Sequence, residues 1–188
     1  MKPTLGFALT GSFCSLEKTF LVMESLKEEY RLIPIVSERV ANTDTRFFQK
    51  EEVLTRLETI CGQKALTSIT DAEPLGPKKL LDLLVICPCT GNTLSKMALG
   101  ITDTCVTMAA KSHRRNGGKI LIALSTNDAL SGSAKSLGLL ADKKDVFFVP
   151  LRQDAPTEKP ASLACDFSLV PDAIRAAFEG KQLQPVFL

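Results

Sequence analysis

Short apolar runs alternate along this chain with longer stretches in which apolar residues recur every three or four positions. The short runs are typical of strands that are buried on both faces of a parallel sheet, and they cover residues 4–10, 31–36, 80–88, 119–124 and 145–150. We expect the central strand to end at Pro88, since proline cannot donate a hydrogen bond to a neighbouring strand. The longer stretches predict amphipathic helices at 16–30, 47–61, 94–99, 103–115, 129–140 and 171–178.

The connecting segments complete this outline. A short helix is predicted to start near Pro77, Asp103 is a candidate cap, and residues 40–46 and 153–160 are predicted loops. Alternation of strand and helix predicts an α/β fold, a three-layer Rossmann-like (flavodoxin-like) sandwich with a mostly parallel sheet. No linker or internal repeat divides the chain, so we expect residues 1–188 to form a single domain.

Three of the predicted strands end in small, hydrogen-bonding residues, at 10–15, 88–93 and 125–128. The carboxyl ends of strands in a doubly wound sheet can meet at one crevice, where glycine permits close approach and helix N-termini favour anions. These loops therefore predict a ligand pocket. A competing interpretation makes Ser12 and Ser15 plain caps of the first helix, and Asn92 and Asn127 plain caps of later helices.

Composition narrows the classes of function. Of the 188 residues, 45% are hydrophobic and 23% charged, and the net charge of +2 predicts neither disorder nor a general affinity for nucleic acid. The basic cluster 111–115 is more typical of a solvated helix end. No apolar run is long enough to cross a bilayer, and the N-terminus lacks a signal-peptide pattern. We expect a cytoplasmic protein without membrane contact.

The six cysteines fit a reducing compartment, in which they remain free thiols. Cys87 and Cys89 form a C-x-C pair at a strand end, but the chain has one histidine and no second pair at zinc spacing, so no metal site is predicted. A helix N-terminus could make Cys89 a nucleophilic thiolate; without a nearby base, a packed thiol is the favoured interpretation.

The three loops, in this order, resemble those of the flavoprotein family that includes flavin-dependent cysteine decarboxylases and flavin prenyltransferases. The turn at 11–12 matches the family's Gly-Ser turn, and residues 88–93 (PCTGNT) loosely match its Pro-Ala-Ser-Ala-Asn-Thr motif. Residues 125–128 (STND) match its Pro-x-Met-Asn motif only at Asn127. The resemblance implies one flavoprotein-like domain, bound FMN, and homo-oligomers that are trimers or multiples of trimers.

Segments 9–14, 125–130, 148–156 and 180–185 resemble one branch of that family, the B subunits of a two-subunit oxidoreductase. The branch implies a partner, the A subunit of the same enzyme, that resembles NAD(P)-dependent oxidoreductases. Together the two would convert a dihydro- or hydroxytetrahydropyridine dicarboxylate into pyridine-2,6-dicarboxylate during sporulation. Two further functions stay open: a non-catalytic scaffold that keeps the flavin fold, and an enzyme of the prenyltransferase or decarboxylase type.

The resemblance also implies a set of residues that contact the cofactor. The phosphate end of FMN is assigned to Gly11, Ser12, Phe13 and Ser37. The flavin ring or the substrate is assigned to Pro88, Thr90, Asn92, Thr93 and Ser125. Asn92 and Asn127 are the candidate catalytic residues, because an amide can donate to a carboxylate and accept from a ring N–H. The candidate cations that would bind a small dicarboxylate are Lys18, Lys96, Arg114 and Arg115. For the two lysines, a position on the solvated face of a helix is the favoured interpretation.

Two departures from the family argue against decarboxylation of a peptide cysteine. The decarboxylases carry a catalytic histidine ahead of the acid that precedes the central strand, and the matching position here is Pro74. The methionine of Pro-x-Met-Asn is Thr126 here. The single histidine, His113, lies in the basic helix, where a surface or subunit-interface position is favoured over a proton relay.

Overall fold

The computed structural model describes residues 2–188 and contains seven strands and eight α-helices. The strands are β1 (Thr4–Leu9), β2 (Arg31–Val36), β3 (Leu83–Cys89), β4 (Lys119–Thr126), β5 (Val146–Phe148), β6 (Leu151–Arg152) and β7 (Leu163–Cys165). The helices are α1 (Leu16–Leu26), α2 (Glu38–Asn42), α3 (Lys50–Cys61), α4 (Ile69–Ala72), α5 (Gly91–Leu99), α6 (Cys105–Arg114), α7 (Ala134–Ala141) and α8 (Val170–Phe178). The predicted Rossmann-like α/β architecture is confirmed.

The sheet runs in the order β2-β1-β3-β4-β7-β6, and β5 pairs with the first half of β4. Strands β1 to β5 are parallel, whereas β7 pairs antiparallel with the last two residues of β4 and with β6. The chain reverses its direction of strand addition after β2, since β1 lies between β2 and β3. This reversal makes the carboxyl ends of β1 and β3 the switch point, the place where open α/β sheets bind ligands.

The core lies on both faces of the central strands. All seven residues of β3 are buried, and β1 contributes Leu5, Phe7 and Leu9 with no exposed surface. From the helices, Phe20 and Leu57 are also fully buried against the sheet. A parallel strand covered by helices on both sides needs apolar residues at every position, which explains the continuous runs in the sequence. No helix among residues 2–188 has the length and apolarity needed to cross a membrane.

Two predicted helix starts are wrong because the caps are threonine hydroxyls that the apolar pattern does not reveal. Helix α5 starts at Gly91 rather than at residue 94, and Thr90 caps it by accepting from the Thr93 N–H. The cap of α6 is Thr104 and not Asp103. The hydroxyl oxygens of Thr90 and Thr104 each lie within reach of the backbone amide three residues later. At the other end of a helix, α1 stops at Leu26 rather than at residue 30.

Two predicted segments take another form. Residues 40–46 are not all loop, since α2 occupies Glu38–Asn42 with Ser37 as its cap. The short helix expected near Pro77 lies earlier, at α4, where Ser68 and Asp71 form a capping box, followed by a 3₁₀ turn at Glu73–Leu75. The capping box satisfies two backbone N–H groups at once, and therefore the helix begins there.

The region after β4 differs most from the prediction. The helix predicted at 129–140 is shorter, because residues 127–133 form a turn and α7 begins at Ala134. The antiparallel pair of β6 and β7 is absent from the prediction. The loop that connects these two strands includes residues 153–160, which are predicted as a loop. Strand β3 continues through Pro88 to Cys89, and its register against β4 shifts between Ile86 and Cys89. A residue without an N–H is tolerated at such an irregularity.

Candidate functional site

The loops after β1 and β3 are joined by the side chain of Thr10. Its Oγ1 donates to the Pro88 carbonyl at 2.8 Å and accepts from the Thr90 N–H at 2.9 Å. The Thr10 N–H donates to the same Pro88 carbonyl at 3.2 Å. Thr10 is 1% exposed, so these bonds are shielded from water and hold the two loops side by side.

The loop after β4 joins them through a cluster of three serine hydroxyls. The Oγ of Ser125 lies 3.0 Å from the Oγ of Ser12 and 3.0 Å from the Oγ of Ser15. Neither Ser12 nor Ser15 caps a helix with its side chain. The capping interpretation is therefore wrong for both, and the structure brings all three predicted loops to one edge of the sheet.

Two clefts open beside this junction. The serine cleft, of about 670 Å³, is bordered by Ser12, Asn92, Ser125, Asn127 and Lys159. The arginine cleft, of about 900 Å³, is bordered by Ser37, Arg39, Thr93 and Lys96. Four residues line both clefts and form the ridge between them: Gly11, Phe13, Thr90 and Asn92.

These clefts divide the residues assigned to the cofactor. Ser12 and Ser125 face the serine cleft, whereas Ser37 and Thr93 face the arginine cleft. Pro88 lines neither cleft, because it is buried inside β3 with its carbonyl bound to Thr10. Whether these residues contact a cofactor stays a prediction, but eight of the nine border the two clefts.

Asn92 and Asn127 both border the serine cleft. Asn92 is the second residue of α5, whose cap is Thr90, and Asn127 lies in the turn after β4. The interpretation that both are helix caps is therefore wrong. Both side chains are exposed, and neither forms a hydrogen bond within residues 2–188. Their amides are available to a ligand.

The cations at the site differ from those expected. Lys96 borders the arginine cleft but is bound to Asp103 at 2.8 Å, and Lys18 lies over the Phe167 ring, outside both clefts. Arg114 and Arg115 line a separate groove of about 390 Å³.

Two cations at the clefts were not among the predicted residues. Arg39 borders the arginine cleft and Lys159 borders the serine cleft. A signal existed for Arg39, since it follows Ser37 at the end of a predicted strand. No such signal marks Lys159, which lies in the predicted loop at 153–160.

The apolar lining of the site comes from two phenylalanines. Phe13 lies on the ridge, and Phe47 is 45% exposed on the wall of the serine cleft. A flat ring gains contact area from such walls, which polar loops alone do not supply. A helix is predicted to begin at Phe47, and this prediction is wrong. Phe47 lies in the loop between α2 and α3.

The two thiols of β3 and the histidine lie outside this site, whereas the exposed thiol of Cys14 borders the serine cleft. Burial raises the pKa of the Cys87 thiol to about 12 and raises that of Cys89 further still, so both are packed thiols rather than nucleophiles. His113 is 4% exposed and not a surface residue, which corrects the prediction. Among residues 2–188, no three or more His, Cys, Asp or Glu side chains are arranged to hold a metal ion.

The fold and the position of the clefts are those of a flavin-type α/β protein with two clefts at the sheet's carboxyl edge. The sequence model of the Flavoprotein family matches residues 1–176, and the chain belongs to the flavoprotein family. It is 42% identical over 185 residues to the B subunit of dipicolinate synthase from Bacillus subtilis (strain 168), covering 98% of this chain and 92% of that protein. The branch that four short segments indicated is confirmed.

Solved structures agree with this assignment. The crystal structure of the dipicolinate synthase B subunit from Bacillus halodurans is 38% identical, with a TM-score of 0.90 over 100% of this chain and 98% of that chain. The FMN-dependent cysteine decarboxylase SpaF is 19% identical, with a TM-score of 0.68 over 95% of this chain and 97% of that chain. The second likeness shows the fold alone.

The donor set at the clefts fits the phosphate end of a flavin nucleotide. A Cβ added at Gly11 would lie 3.6 Å from the Phe13 ring and 3.7 Å from the Arg39 Cβ, ordinary contact distances, so the backbone of this turn lies directly between these two side chains. Serine hydroxyls and the Arg39 guanidinium, which forms no ion pair within residues 2–188, supply donors on either side of the ridge.

Proposed function

We propose that this chain acts as the B subunit of a dipicolinate synthase. With the A subunit of the enzyme, it would convert dihydro- or hydroxytetrahydrodipicolinate into dipicolinate during sporulation. The observation that carries the proposal is the junction of Ser12, Ser15 and Ser125, which gathers three loops around clefts bordered by two uncommitted asparagine amides. The identity to a dipicolinate synthase B subunit over nearly the whole chain supports the choice of reaction.

We propose that FMN binds along the ridge between the two clefts. Gly11, Ser12, Phe13 and Ser37 would hold its phosphate, with Arg39 as an additional cation that only the structure reveals. The ring, or the substrate beside it, would contact a second set of residues: Thr90, Asn92, Thr93 and Ser125. When bound, FMN supplies a two-electron acceptor. The FMN dependence of the cysteine decarboxylase SpaF, which has the same fold, supports the cofactor class.

The substrate is a six-membered nitrogen ring with two carboxylates, and the groups that border the serine cleft suit it. The amides of Asn92 and Asn127 would donate to carboxylate oxygens, and one amide oxygen would accept from the ring N–H. Lys159 borders the same cleft and lies 3.9 Å from Asp154, too far for a tight pair, so its ammonium is available to a carboxylate. Phe47 would pack on the ring face.

The reaction balances as a dehydrogenation. Hydroxytetrahydrodipicolinate loses water to become the dihydro compound, and this compound loses two electrons and two protons to become aromatic. The electron pair would pass to FMN on this chain or to an NAD(P) cofactor on the A subunit. The side chains of this chain would bind and orient the ring, and no thiol of β3 takes part.

We also propose that the chain assembles into homo-oligomers, trimers or multiples of trimers, and works in the cytoplasm. The relative from Bacillus subtilis is named as one subunit of a synthase, which supports a partner protein. All six cysteines are free thiols, which suits a reducing compartment. Nothing in the clefts calls for nucleic acid as a ligand, since their walls are neither strongly basic nor aromatic-rich.

A coupled assay tests the reaction. Purified protein is combined with its A subunit and substrate, and dipicolinate is followed by its ultraviolet absorbance. We expect product only when both proteins are present, with a yellow preparation that shows flavin absorbance. A colourless protein that still stimulates the A subunit would replace this proposal with the scaffold function. Product unaffected by omission of this chain would refute both.

An FMN titration followed by flavin fluorescence tests the cofactor separately. We expect saturable quenching at tens of micromolar FMN, weakened by Arg39→Ala because a phosphate donor is lost. Arg31→Ala is the matched control, since Arg31 is an exposed arginine at the amino end of β2 that lies outside both clefts. Absence of binding to the wild-type protein would remove FMN from the proposal.

A further inference from the structure

Asp128 is the centre of the turn after β4. Its Oδ1 accepts from the Thr126 hydroxyl at 2.6 Å, and both carboxylate oxygens lie 3.0 Å from the Ser133 hydroxyl that donates to them. Its backbone carbonyl accepts from the N–H groups of Ser131 and Ser133, each at 3.0 Å. One residue therefore closes the turn with both its side chain and its backbone.

The same carboxylate lies against the start of α5. A Cβ added at Gly91 would lie 2.5 Å from the Asp128 Oδ1, 2.6 Å from the Ser133 Oγ and 2.7 Å from the Thr126 Oγ1. Only glycine allows the two segments to approach so closely. A carboxylate at the first residue of α5 also complements the positive end of the helix.

The position of Asp128 matters because each of the two segments that it touches carries a candidate catalytic residue. Asn127 precedes Asp128 in the turn, and Asn92 follows Gly91 in α5, and both asparagines border the serine cleft. Asp128 borders this cleft too. A carboxylate there repels a dicarboxylate ligand, so direct binding does not explain its presence. The bonds that it accepts from two hydroxyls reduce that repulsion and hold the turn.

We propose that Asp128 is a positioning residue that ties the turn after β4 to the N-terminus of α5 and thereby sets the relative placement of Asn92 and Asn127. The proposal rests on the proposed function only for the identity of the substrate that the two asparagines bind. The link between the two segments is a property of the chain itself.

Hydrogen exchange measures the link without any assay of activity. In Asp128→Ala we expect faster exchange both in residues 125–133 and in residues 90–93, because the carboxylate that joins them is gone. Asp128→Asn keeps an amide oxygen as acceptor and is expected to restore much of the protection. Ser131→Ala is the matched control: its hydroxyl is exposed and reaches only the Asp128 backbone carbonyl, at 3.3 Å.

Kinetics with the A subunit measure the consequence for the site. We expect Asp128→Ala to lower kcat/KM by about 10- to 100-fold, since misplaced binding groups lose the reactive geometry. The FMN dissociation constant should rise by a smaller factor than kcat/KM falls, because Gly11, Phe13 and Ser37, which would hold the phosphate, lie on other loops. Asp128→Asn should recover most of the loss and Ser131→Ala should show none.

A double-mutant cycle supplies an independent measurement. Gly91→Ala forces a methyl group into the Asp128 carboxylate and should impair the site as well. Combined with Asp128→Ala, its additional effect on kcat/KM should be smaller than in the wild-type background, since one of the colliding groups has been removed.

Two results would overturn the proposal. One is faster exchange in residues 125–133 of Asp128→Ala with residues 90–93 unchanged, which would show that no link exists. The other is faster exchange in both segments with kcat/KM unaffected in the folded protein, which would make Asp128 a purely structural residue. A wild-type protein that forms no dipicolinate with its A subunit would overturn the proposed function instead, and exchange would then decide the link by itself.

Discussion

The two edges of the central sheet use polar groups in opposite ways. Around the amino ends of the strands, Arg114 donates to Asp145 at 2.6 and 2.9 Å, and Lys119 donates to the Phe178 carbonyl at 2.8 Å. At the carboxyl ends, the amides of two asparagines, at positions 92 and 127, have no partner within residues 2–188. At the amino edge these charged groups are paired within the fold, and the exception among the described residues is the buried His113 Nε2, which has no hydrogen-bond partner. At the carboxyl edge the unpaired amides are exposed at a cleft.

The two edges also differ in how much room surrounds one glycine at each of them, Gly76 and Gly11. At Gly76, beside α6, an added Cβ would overlap the Ser112 backbone carbonyl oxygen. At Gly11, on the ridge between the clefts, the nearest atoms are 3.6 Å away. A side chain is therefore excluded at Gly76 and accommodated at Gly11, although Gly91, also at the carboxyl edge, is crowded by Asp128 as Gly76 is by Ser112. Substitutions at the two edges should therefore separate stability from function.

The largest expected effect is on stability. Gly76→Ala should lower the free energy of unfolding by about 3 kcal/mol, because backbone must move to admit the methyl group. Gly11→Ala, its counterpart at the other edge, should change it by less than about 0.5 kcal/mol. Urea denaturation measures both. Similar losses in the two variants would contradict the comparison.

The next effect is on turnover and belongs to the carboxyl edge. Asn127→Ala should lower kcat/KM for dipicolinate formation by about tenfold or more, since a donor to the substrate is lost. Its free energy of unfolding should stay within about 0.5 kcal/mol of wild type, because the side chain is exposed and unbonded. Loss of stability with full turnover would assign Asn127 to the fold instead.

A third prediction concerns acid and the amino edge. Burial lowers the pKa of His113 below its ordinary 6.5, so the unfolded chain takes up this proton first. As far as His113 is concerned, the free energy of unfolding should be constant above pH 6.5. At pH values under 6.5 it should decrease by at most about 1.4 kcal/mol per pH unit. Unfolding measured from about pH 7.5 to about pH 5.5, roughly one unit on either side of this value, tests the prediction.

The matched variant for this pH dependence is His113→Gln, which stays neutral throughout the range. We expect a flatter profile of unfolding free energy against pH, whatever the absolute stability of the variant. The carboxylates whose pKa values are lowered, such as those of Asp145 and Asp166, lose their stabilisation only at more acidic pH. An equally steep profile in His113→Gln would assign the slope to another group.

The smallest effect is that of the ion pair at the amino edge. Asp145→Asn should cost about 1 kcal/mol, since the Arg114–Asp145 pair is bidentate but each side chain is about a third exposed, 30% and 34%. Glu179→Gln, which breaks the more exposed pair with Lys181, is the control and should have no measurable effect. Thermal unfolding at low and high salt would show whether the first loss is electrostatic.

Prediction from sequence succeeds here where structure follows from a local pattern. The apolar run at β3 and the glycine that ends α5 are recognisable from neighbouring residues alone, and both lie close to the observed positions. Helix starts are predicted poorly, because several hydroxyls stand in each polar loop and only the folded backbone selects the cap. The turn at 127–133 also escapes prediction, since its bonds centre on Asp128 and involve both side chain and backbone.

The candidate site shows the same division. Loop positions are predicted well because every strand of a parallel sheet delivers its carboxyl end to one edge. Lys159 escapes prediction because it reaches its cleft from a loop without a strand-end pattern, whereas Arg39 follows a strand end whose signal pointed only to Ser37. A surface or interface position is the natural expectation for His113, since a basic helix end is usually solvated, and yet the segment at Gly118 covers its ring.

By itself, the sequence determined that a parallel sheet forms and that three hydrogen-bonding loops lie at its carboxyl edge, since burial on both faces demands continuous apolar strands. Only the tertiary structure decided which hydroxyls meet. Ser12 and Ser125 are 113 residues apart in the chain, and their contact depends on β1 and β4 flanking β3. Contacts between such distant positions arise from packing of the whole sheet, which no local pattern of residues encodes.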